Sequence, residues 1–539
     1  MHDIIIKNAE IIDGRGAPTY RGDLAIEDQR ISAVGDLSQS GAKNIIDAEG
    51  CALAPGFIDM HSHADFSLPV WPTADSMLHQ GITTAVVGQC GLSPAPLLNE
   101  TRDEVVSALT GFFGEFVKDV PWQEWSSVGD YLAFLSHRGI SLNVLQLAGQ
   151  GIIRASVLGF GEGRADKDQM AKMKNLVDEA MADGAIGLST GLIYPPGSFT
   201  ATEELIELTQ AVASRNGYYF SHIRGESDTL LEAIDEAIRI GRETGVSVQI
   251  SHFKAAPKDN WEKSARGLSL IEKARNQGLD VTADLYPYRA GSTTLVTMLP
   301  QWAHVGGPAE ILKRLADSTA RGKMITDMQT GGFAHGFEWD MVLITASPRK
   351  SEYEGRYVSD LASTAGKKPH DWVFDALLET QLDLSMAVFG MSEENRLQEI
   401  QFPGMMICTD GFGLATTGPL AKGVPHPRNY GAFPRVLGRY VRDLKALSLE
   451  EAVFKMTGLP AQKLGLKDRG IIRPGFAADL VVFDPGTVFD RATYDNPHQY
   501  ARGIIQVIVN GQFVIRDENH TGATPGTVLK PLSRFGAVL

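Results

Sequence analysis

The stretch GFIDMHSHADF, residues 56–66, places two histidines one residue apart at the end of a short apolar run. Phenylalanine and isoleucine favour a β-strand, and side chains at positions i and i+2 of a strand point to the same face. We therefore predict that His61 and His63 face one spot just beyond a buried strand. Two neighbouring imidazoles in a dry environment are costly unless something binds them, so the stretch indicates a ligand site at the end of this strand.

Seven further apolar runs follow this stretch and alternate with helical sequence such as residues 168–184 and 228–245. They cover residues 82–91, 142–151, 185–195, 218–226, 246–254, 281–288 and 405–412. Alternating strands and helices imply parallel βα units, and eight of them predict an α/β fold with a closed, TIM-like (β/α)8 barrel. An open doubly wound sheet is the alternative, but it would favour a Gly-x-Gly-x-x-Gly turn after an early strand, and the sequence has none there.

The two ends of the chain differ from this middle part. Residues 1–54 and 468–539 contain short alternating runs separated by glycine and aspartate, which is a β-sheet pattern. We therefore predict an N-terminal β part at 1–54, a barrel at 55–467 and a C-terminal β part at 468–539. Within the barrel, more than a hundred residues separate the last two runs, and we predict an inserted subdomain near residues 291–350.

Composition limits the partners of the protein. The chain has 539 residues, which is longer than a single hydrophobic core usually supports. Its net charge is −15, from 50 basic and 65 acidic residues. This charge argues against binding to nucleic acid or to an anionic membrane surface, and no stretch approaches the roughly 18 apolar residues of a membrane-spanning helix. Three cysteines are too few for a disulfide framework. We therefore expect a cytoplasmic protein that acts on a small molecule.

Residues of zinc-binding types recur at the ends of the predicted barrel strands. In a (β/α)8 barrel the catalytic residues lie at the C-terminal ends of the strands. Six residues occupy such ends: His61 and His63 after the first strand, Cys90 after the second, His222 after the fifth, His252 after the sixth and Asp410 after the eighth. Each alone has a structural explanation, such as a packed cysteine or an aspartate that caps a turn. Together, at one rim, they predict a metal centre.

Motifs at and between these positions resemble a known family. They are GFIDMHSHAD, GQCG at 88–91, STGLIYPPG at 189–197, SHIRGE at 221–226, SHFKAA at 251–256, DLYPYRAGSTT at 284–294, CTDG at 408–411 and GIIRPGFAADLVVFDP at 470–485. This set is similar to the metal-dependent amidohydrolase superfamily, and within it to the N-acyl-D-amino-acid deacylase (D-aminoacylase) branch, over essentially the whole chain. The resemblance implies a distorted TIM barrel with a small β-sandwich that both chain ends build.

The resemblance also implies a reaction and a cofactor. The expected reaction is zinc-dependent hydrolysis of the amide bond of N-acyl-D-amino acids, which releases a carboxylate and a free D-amino acid. The ligands of one tightly bound zinc correspond to Cys90, His222 and His252. A weaker second metal position corresponds to His61, His63 and Asp410, with Cys90 able to bridge the two.

Asp410 also fits a catalytic role by its position at a strand end. A carboxylate beside a metal-activated water can take its proton and pass it to the leaving nitrogen. The resemblance assigns the same role to the matching aspartate. We therefore predict that Asp410 is the catalytic acid–base residue.

A free amino-acid carboxylate in the substrate needs fixed cations and hydroxyl donors. Arg428 can grip it through a bidentate fork, and Lys254, two residues after the histidine of the sixth strand, can add a point charge. The resemblance adds Tyr288 and Thr294, which match the tyrosine and hydroxyl positions that hold this carboxylate in the family. Tyr194 is a further candidate for the pocket wall.

The sequence leaves three other functions open. A cyclic-amide hydrolase of the hydantoinase or dihydroorotase type would favour a carboxylated lysine as the metal bridge, whereas this chain carries the Cys90 signature. A non-catalytic relative would usually have lost metal ligands, and none is lost here. In a nucleobase deaminase the carboxylate-binding residues would have no purpose.

The preferred side chain of the substrate depends on Arg289, which directly follows Tyr288. If the chain bends after the seventh strand, Arg289 leans over the pocket and favours an acidic substrate. If the strand continues, alternation turns Arg289 away from the pocket. We expect the second arrangement, and therefore a broad or neutral preference.

Overall fold

The computed structural model describes residues 1–113 and 115–530, and its N-terminal part is a set of β-strands. These strands are β1 (His2–Ile11), β2 (Tyr20–Glu27), β3 (Arg30–Gly35), β4 (Ala42–Asp47) and β5 (Ala52–Pro55). Three consecutive isoleucines of β1, Ile4 to Ile6, are buried and anchor the strand in the core. β2 pairs antiparallel with β1, whereas β4 and β5 pair parallel with it.

The barrel begins directly after β5. Its first seven strands are β6 (Phe57–Asp59), β7 (Ile82–Val87), β8 (Asn143–Gln146) with its short continuation β9 (Ala148–Gly149), β10 (Gly187–Gly191), β11 (Tyr218–His222), β12 (Ser247–Ile250) and β13 (Val281–Leu285). Neighbouring strands pair parallel and in chain order. Every residue of these strands is buried, as expected where helices cover the outside of a parallel sheet.

In the part of the chain that the structure describes, nine helices lie between these strands. They are α1 (Ala64–Ser67), α2 (Asp75–Leu78), α3 (Arg102–Phe113), α4 (Val128–Arg138), α5 (Gln150–Leu158), α6 (Lys167–Asp183), α7 (Thr202–Ser214), α8 (Leu230–Thr244) and α9 (Lys263–Asn276). The α6 helix shows how the sequence sets its limits. The Asp166 carboxylate accepts hydrogen bonds from the first turn, and Gly184, with a φ of 122°, ends the helix. In α8, Leu230, Ile234 and Ile238 are buried on one face.

An inserted unit follows β13. Its elements are β14 (Ala290–Thr294), α10 (Pro308–Ala316), α11 (Ser318–Thr330), β15 (Val342–Ala346), α12 (Val358–Thr364), α13 (Pro369–Glu379) and β16 (Ser385–Phe389). The three strands form their own antiparallel sheet in the order β14-β16-β15, and a separate hydrophobic core extends from Leu295 to Val388. The insertion expected near 291–350 therefore covers only the first part of this unit, because β16 is the central strand of its sheet.

The eighth barrel strand closes the barrel after the inserted unit. It is β17 (Met405–Ile407), and α14 (Glu393–Gln401) precedes it. β17 pairs parallel with β13. Just beyond the strand, the Asp410 amide donates to the His61 carbonyl at 2.8 Å, and the His63 amide donates to the Gly411 carbonyl at 2.7 Å. These bonds connect the eighth strand to the first, which confirms the predicted (β/α)8 barrel.

The last part of the chain returns to the N-terminal strands. After α15 (Arg428–Arg435), the π-helical segment Val436–Asp443, α16 (Leu449–Met456) and α17 (Gly458–Lys463) come β18 (Leu480–Phe483), β19 (Ile504–Val509), β20 (Gln512–Arg516) and β21 (Asn519–His520). The strand order β21-β20-β19-β18-β5-β1-β2-β3, with β4 beside β1, joins both chain ends in one sheet. Leu53, Leu480 and Ile508 share the core of this β unit.

Short 3-10 turns complete the described chain: Glu115–Asp119, Trp122–Glu124, Gly197–Phe199, Lys258–Asn260, Leu295–Met298, Gln301–His304, Trp339–Met341 and Ser351–Tyr353.

Among the residues that the structure describes, no helix has the length and apolar character needed to cross a membrane.

Candidate active site

Three of the six predicted metal ligands lie in tight turns at the barrel rim. Cys90, His252 and Asp410 have φ values of 56°, 36° and 48°. Such left-handed backbone is uncommon outside glycine and is concentrated at functional sites, where the surrounding structure holds it in place. Here neighbouring strands hold it: the His252 amide, for example, donates to the Asp284 carboxylate at 2.7 Å.

In this group of six side chains, the four histidines surround the one thiol and the one carboxylate. The Cys90 Sγ lies 3.3 Å from His61 Nε2, 3.5 Å from His222 Nδ1 and 3.6 Å from His252 Nε2. The Asp410 Oδ1 lies 3.5 Å from His61 Nε2 and 3.4 Å from His63 Nε2. The donor atoms form two groups that share Cys90, and within each group they lie within 4.8 Å of one another: His61, His63, Cys90 and Asp410; and Cys90, His222 and His252.

The electrostatics of this cluster suit a cation. Burial lowers the pKa of His61 and His222 well below its usual value and lowers that of His63, so these imidazoles are neutral and offer a lone pair. Burial, together with the nearby Asp410 carboxylate, raises the pKa of the Cys90 thiol well above its usual value. A bound divalent ion reverses that effect and stabilises the thiolate. A sulfur, several imidazole nitrogens and a carboxylate are the donors that zinc prefers.

Two further carboxylates lie behind the rim, and the sequence motifs did not single them out. Asp59 accepts hydrogen bonds from the Thr409 amide at 2.9 Å and from the Thr409 hydroxyl at 2.5 Å, which ties the first strand to the eighth. Burial raises the pKa of Asp59 to about 7. Asp284 accepts from Gln249 Nε2 at 2.7 Å as well as from the His252 amide. Both residues fix the strand ends that carry the donor atoms.

A cavity of about 450 Å³ opens above the donor cluster. Lys254, Arg428 and Tyr194 line it, as the sequence predicts for substrate-binding residues. Arg428 Nη1 lies 2.7 Å from Asp410 Oδ2, and its guanidinium carbon lies 4.7 Å from the centre of the Tyr286 ring. The cavity therefore joins the donor cluster to two fixed cations.

The structure does not bring Tyr288 and Thr294 to this cavity. The Tyr288 hydroxyl donates to Asp490 at 3.1 Å, and the Thr294 hydroxyl donates to the Leu384 carbonyl at 3.2 Å. The Tyr288 amide bonds to the Tyr286 carbonyl at 2.9 Å, which marks a sharp turn at Pro287. Because of this turn, the two tyrosines do not follow the alternation of a strand.

Two other hydroxyl residues take the predicted places. Tyr286 and Thr293 line the cavity, and the Thr293 hydroxyl lies 3.0 Å from the Tyr194 hydroxyl. Ser292 also lines it, and its carbonyl accepts a hydrogen bond from Arg428 at 3.3 Å. The motif DLYPYRAGSTT thus brings hydroxyls to the cavity, but from positions one or two residues earlier than the resemblance indicates.

Sequence reasoning also missed Glu226. Its carboxylate lies 2.5 Å from Lys254 Nζ, 3.1 Å from His252 Nδ1 and 3.7 Å from His222 Nε2. Its place in SHIRGE, four residues after His222, was the available signal. Neither strand alternation nor helical spacing applies in that loop, so only the fold reveals the contact.

The chain is similar to known proteins along almost its whole length. A profile described as the Amidohydrolase family matches residues 44–329 and 413–515. The chain is 37% identical to the D-aminoacylase of Alcaligenes xylosoxydans xylosoxydans over 528 residues, 98% of this chain and 97% of the relative. It is 36% identical to the N-acyl-D-aspartate deacylase of the same organism, over 98% of this chain and 95% of the relative.

A solved structure is also similar over its full length. The N-acyl-D-glutamate deacylase of Bordetella bronchiseptica, complexed with zinc and a phosphonate that mimics the tetrahedral intermediate of the reaction, superposes with a TM-score of 0.83 at 34% identity. The superposition covers 98% of this chain and 99% of that chain. The likeness therefore includes the barrel, the inserted unit and the β unit that both chain ends build.

Proposed function

Because this chain belongs to the amidohydrolase family, we propose that it hydrolyses the amide bond of N-acyl-D-amino acids in a zinc-dependent reaction, releasing a carboxylate and a free D-amino acid. The observation that carries this proposal is the cluster of six donor side chains around Cys90, with two fixed cations in the same cavity. The linear amide and the D-configuration are supported by the similar proteins, which are named for D-amino acids.

The donor cluster provides a place for the metal. Cys90, His222 and His252 would hold one tight zinc, and His61, His63 and Asp410 would line a second, weaker position next to the shared thiol. Zinc, when bound, supplies Lewis acidity that polarises a carbonyl and lowers the pKa of a water. The remaining steps depend on side chains of the protein.

Asp410 is the group that moves the proton. Burial alone would raise its pKa, but the Arg428 guanidinium, 2.7 Å away, holds the pKa well below its ordinary value. The carboxylate is therefore ionised at neutral pH and accepts a proton from the attacking water. It then transfers that proton to the amide nitrogen, which leaves as an amine.

The substrate carboxylate binds beside Asp410. Arg428 is buried, and among the described residues its Nε has no hydrogen-bond partner, so a donor is available for an incoming anion. Lys254, whose pKa the adjacent Glu226 raises despite its burial, remains an ammonium ion. Together with the hydroxyls of Tyr286 and Thr293, these cations orient the amide toward the donor cluster.

The inserted unit forms the wall that faces the side chain of the substrate. Its lining residues are largely apolar: Met298, Leu299, Met328, Phe333, Phe337 and Val388. Burial lowers the pKa of His304, on the same wall, to about 4, so this imidazole is neutral at pH 7. Arg224, also in the lining, already binds Glu236 at 2.8 Å and 3.0 Å. An acidic side chain would find no free cation among these lining residues, and we infer a preference for apolar D-amino acids.

These inferences predict a definite order of substrates. With zinc-loaded protein, we expect N-acetyl-D-methionine and N-acetyl-D-leucine to be hydrolysed with kcat/KM values about tenfold or more above N-acetyl-D-glutamate and N-acetyl-D-aspartate, because an unpaired carboxylate is costly in an apolar pocket. N-acetyl-L-methionine and dihydroorotate serve as controls and should release almost no product. Faster hydrolysis of the L-isomer or of the cyclic amide would refute the proposed reaction, and equal rates for acidic and apolar D-substrates would refute the preference.

Arg289 provides a second prediction about specificity. Its side chain is exposed and does not line the cavity, while its carbonyl accepts the Met391 amide at 3.1 Å. We expect Arg289→Thr to change kcat/KM for N-acetyl-D-leucine and N-acetyl-D-glutamate equally and by less than about twofold. A selective loss of about tenfold on the acidic substrate, about 1.4 kcal/mol of transition-state binding, would instead place Arg289 over the pocket.

We also infer the organisation and setting of the chain. The barrel would occupy 55–467, with 1–54 and 468–539 as the two halves of the β unit, an arrangement supported by the core that residues from both ends share. All three cysteines are unpaired, which supports a reducing compartment such as the cytoplasm.

A further inference from the structure

One carboxylate faces the outward nitrogens of two metal-binding histidines. His252 points Nε2 at the Cys90 thiol and Nδ1 at Glu226, while His222 points Nδ1 at the thiol and Nε2 at Glu226. The distances from the same oxygen, Glu226 Oε1, are 3.1 Å to His252 and 3.7 Å to His222. Glu226 therefore lies on the opposite side of both rings from the shared thiol.

The tautomer of each ring gives this position a chemical meaning. A histidine that binds a metal through one nitrogen carries its proton on the other, and that proton needs an acceptor. The Nδ1 of His252 lies near both the Lys254 ammonium, at 2.8 Å, and the Glu226 carboxylate. Only the carboxylate can accept a proton from Nδ1, so only Glu226 favours the tautomer that leaves Nε2 free for a metal.

The loop after β11 holds Glu226 in this position. A Cβ on Gly225 would lie 2.0 Å from the Thr229 hydroxyl, so a larger residue at this position would collide with Thr229. The Glu226 carbonyl accepts the Ala256 amide at 3.0 Å, which links this loop to the one after β12. The Glu226 side chain is only 12% exposed, and its carboxylate cannot move far from the two rings.

The charge of Glu226 is also secured. Its carboxylate oxygen Oε1 lies 2.5 Å from the Lys254 ammonium, which balances the negative charge. The same carboxylate thus lies within hydrogen-bond distance of His252 and of Lys254, one of the two cations proposed to bind the substrate. This arrangement connects the metal centre with the substrate-binding end of the cavity.

We propose that Glu226 is the positioning residue of the metal centre, which sets the ring orientation and the tautomer of His252 and so raises the affinity of the site for zinc. This inference rests on the proposed function only in taking Cys90, His222 and His252 as the ligands of the tight metal. Glu226 itself contacts neither substrate nor metal in this role.

The experiment measures zinc affinity rather than turnover. Metal-free wild type, Glu226→Gln and Glu236→Gln are titrated with Zn²⁺ in competition with a chromophoric chelator. The isosteric amide removes the negative charge, and we expect Glu226→Gln to weaken zinc binding about 10- to 100-fold, the usual effect of losing a carboxylate partner of a ligating histidine. The visible spectrum of the Co²⁺-loaded variant should also change, because its bands depend on ligand geometry.

Glu236→Gln is the matched control. Glu236 is 11% exposed and pairs with Arg224 of the same loop, but it does not touch the histidines. Its substitution should lower stability without changing zinc affinity. Zinc affinity of Glu226→Gln within about twofold of wild type would overturn the proposal, as would an equal loss in Glu236→Gln.

A second variant covers the case in which Glu226→Gln does not fold. Glu226→Asp keeps the negative charge, but its side chain is one methylene shorter, so the carboxylate lies farther from the imidazoles. The zinc affinity of this variant should lie between those of wild type and Glu226→Gln. Unchanged affinity in Glu226→Asp, measured against a wild type that binds zinc, would then overturn the role of Glu226 alone. If wild type itself bound no zinc, the proposed function and this inference would fail together.

Discussion

Replacement of Asp410 by asparagine is expected to leave the fold and the tight zinc site in place and to lower kcat by roughly 10²- to 10⁴-fold, the usual contribution of a general acid–base group. An amide has the size of the carboxylate but accepts no proton near neutral pH. Cys90, His222 and His252 form a donor group that does not include Asp410, so the metal content should persist. The rate is measured with saturating N-acetyl-D-methionine, and zinc is determined on the same sample.

Asp490→Asn is the control for this substitution. Asp490 lies outside the cavity and binds Arg435 at 2.9 Å, much as Asp410 binds Arg428 at 2.7 Å. Both variants lose a carboxylate–guanidinium pair, which is buried for Asp410 and half-buried for Asp490, and both should lose stability for that reason. Only Asp410→Asn should lose turnover. Near-normal turnover in Asp410→Asn, or equal losses in the two variants, would remove Asp410 from the mechanism.

Replacement of Cys90 by alanine is expected to abolish both tight metal binding and activity. The thiol is the one donor common to both groups of ligand atoms, and a thiolate is a strong zinc ligand. Without it, His222 and His252 supply only two nitrogens to the tight position. The loss of zinc affinity should therefore exceed the roughly 10- to 100-fold loss that is expected when a ligating histidine loses its carboxylate partner, as in Glu226→Gln. Metal analysis after dialysis and a zinc titration measure the effect.

Cys408→Ala separates metal binding from packing. Cys408 is also fully buried at the barrel rim, but its sulfur belongs to neither donor group. This variant should lose some stability from the smaller side chain and should retain its zinc. Full metal occupancy in Cys90→Ala would contradict the assignment of Cys90 as a ligand, whereas zinc loss in both variants would point to a general disturbance of the rim.

The barrel could be predicted because its information is local. Each of the eight apolar runs became a strand, since a parallel strand is covered on both faces and therefore needs a continuous apolar segment. The convergence of His61, Cys90, His252 and Asp410 could be predicted from the closed barrel. In a closed barrel the C-terminal ends of all strands meet at one rim, however far apart they lie in the chain.

The inserted unit could be predicted only in part. The separation of more than a hundred residues between the last two apolar runs showed that the barrel pattern had stopped. The far limit depends on β16, Ser385–Phe389, which pairs between β14 and β15. Periodicity alone does not distinguish such a strand from a further barrel strand, because its partner strands are specified by long-range pairing.

The sequence by itself determined the fold class, the six side chains that meet at the barrel rim and the two cations that line the cavity, because strand periodicity and residue chemistry act over a few residues. The tertiary structure decided the rest. The turn at Pro287 sends Tyr286, rather than Tyr288, into the cavity, and the loop after β11 folds Glu226 back onto His222 and His252. In turns and loops, side-chain direction depends on backbone angles that contacts with distant segments impose, and no repeating pattern in the sequence records those angles.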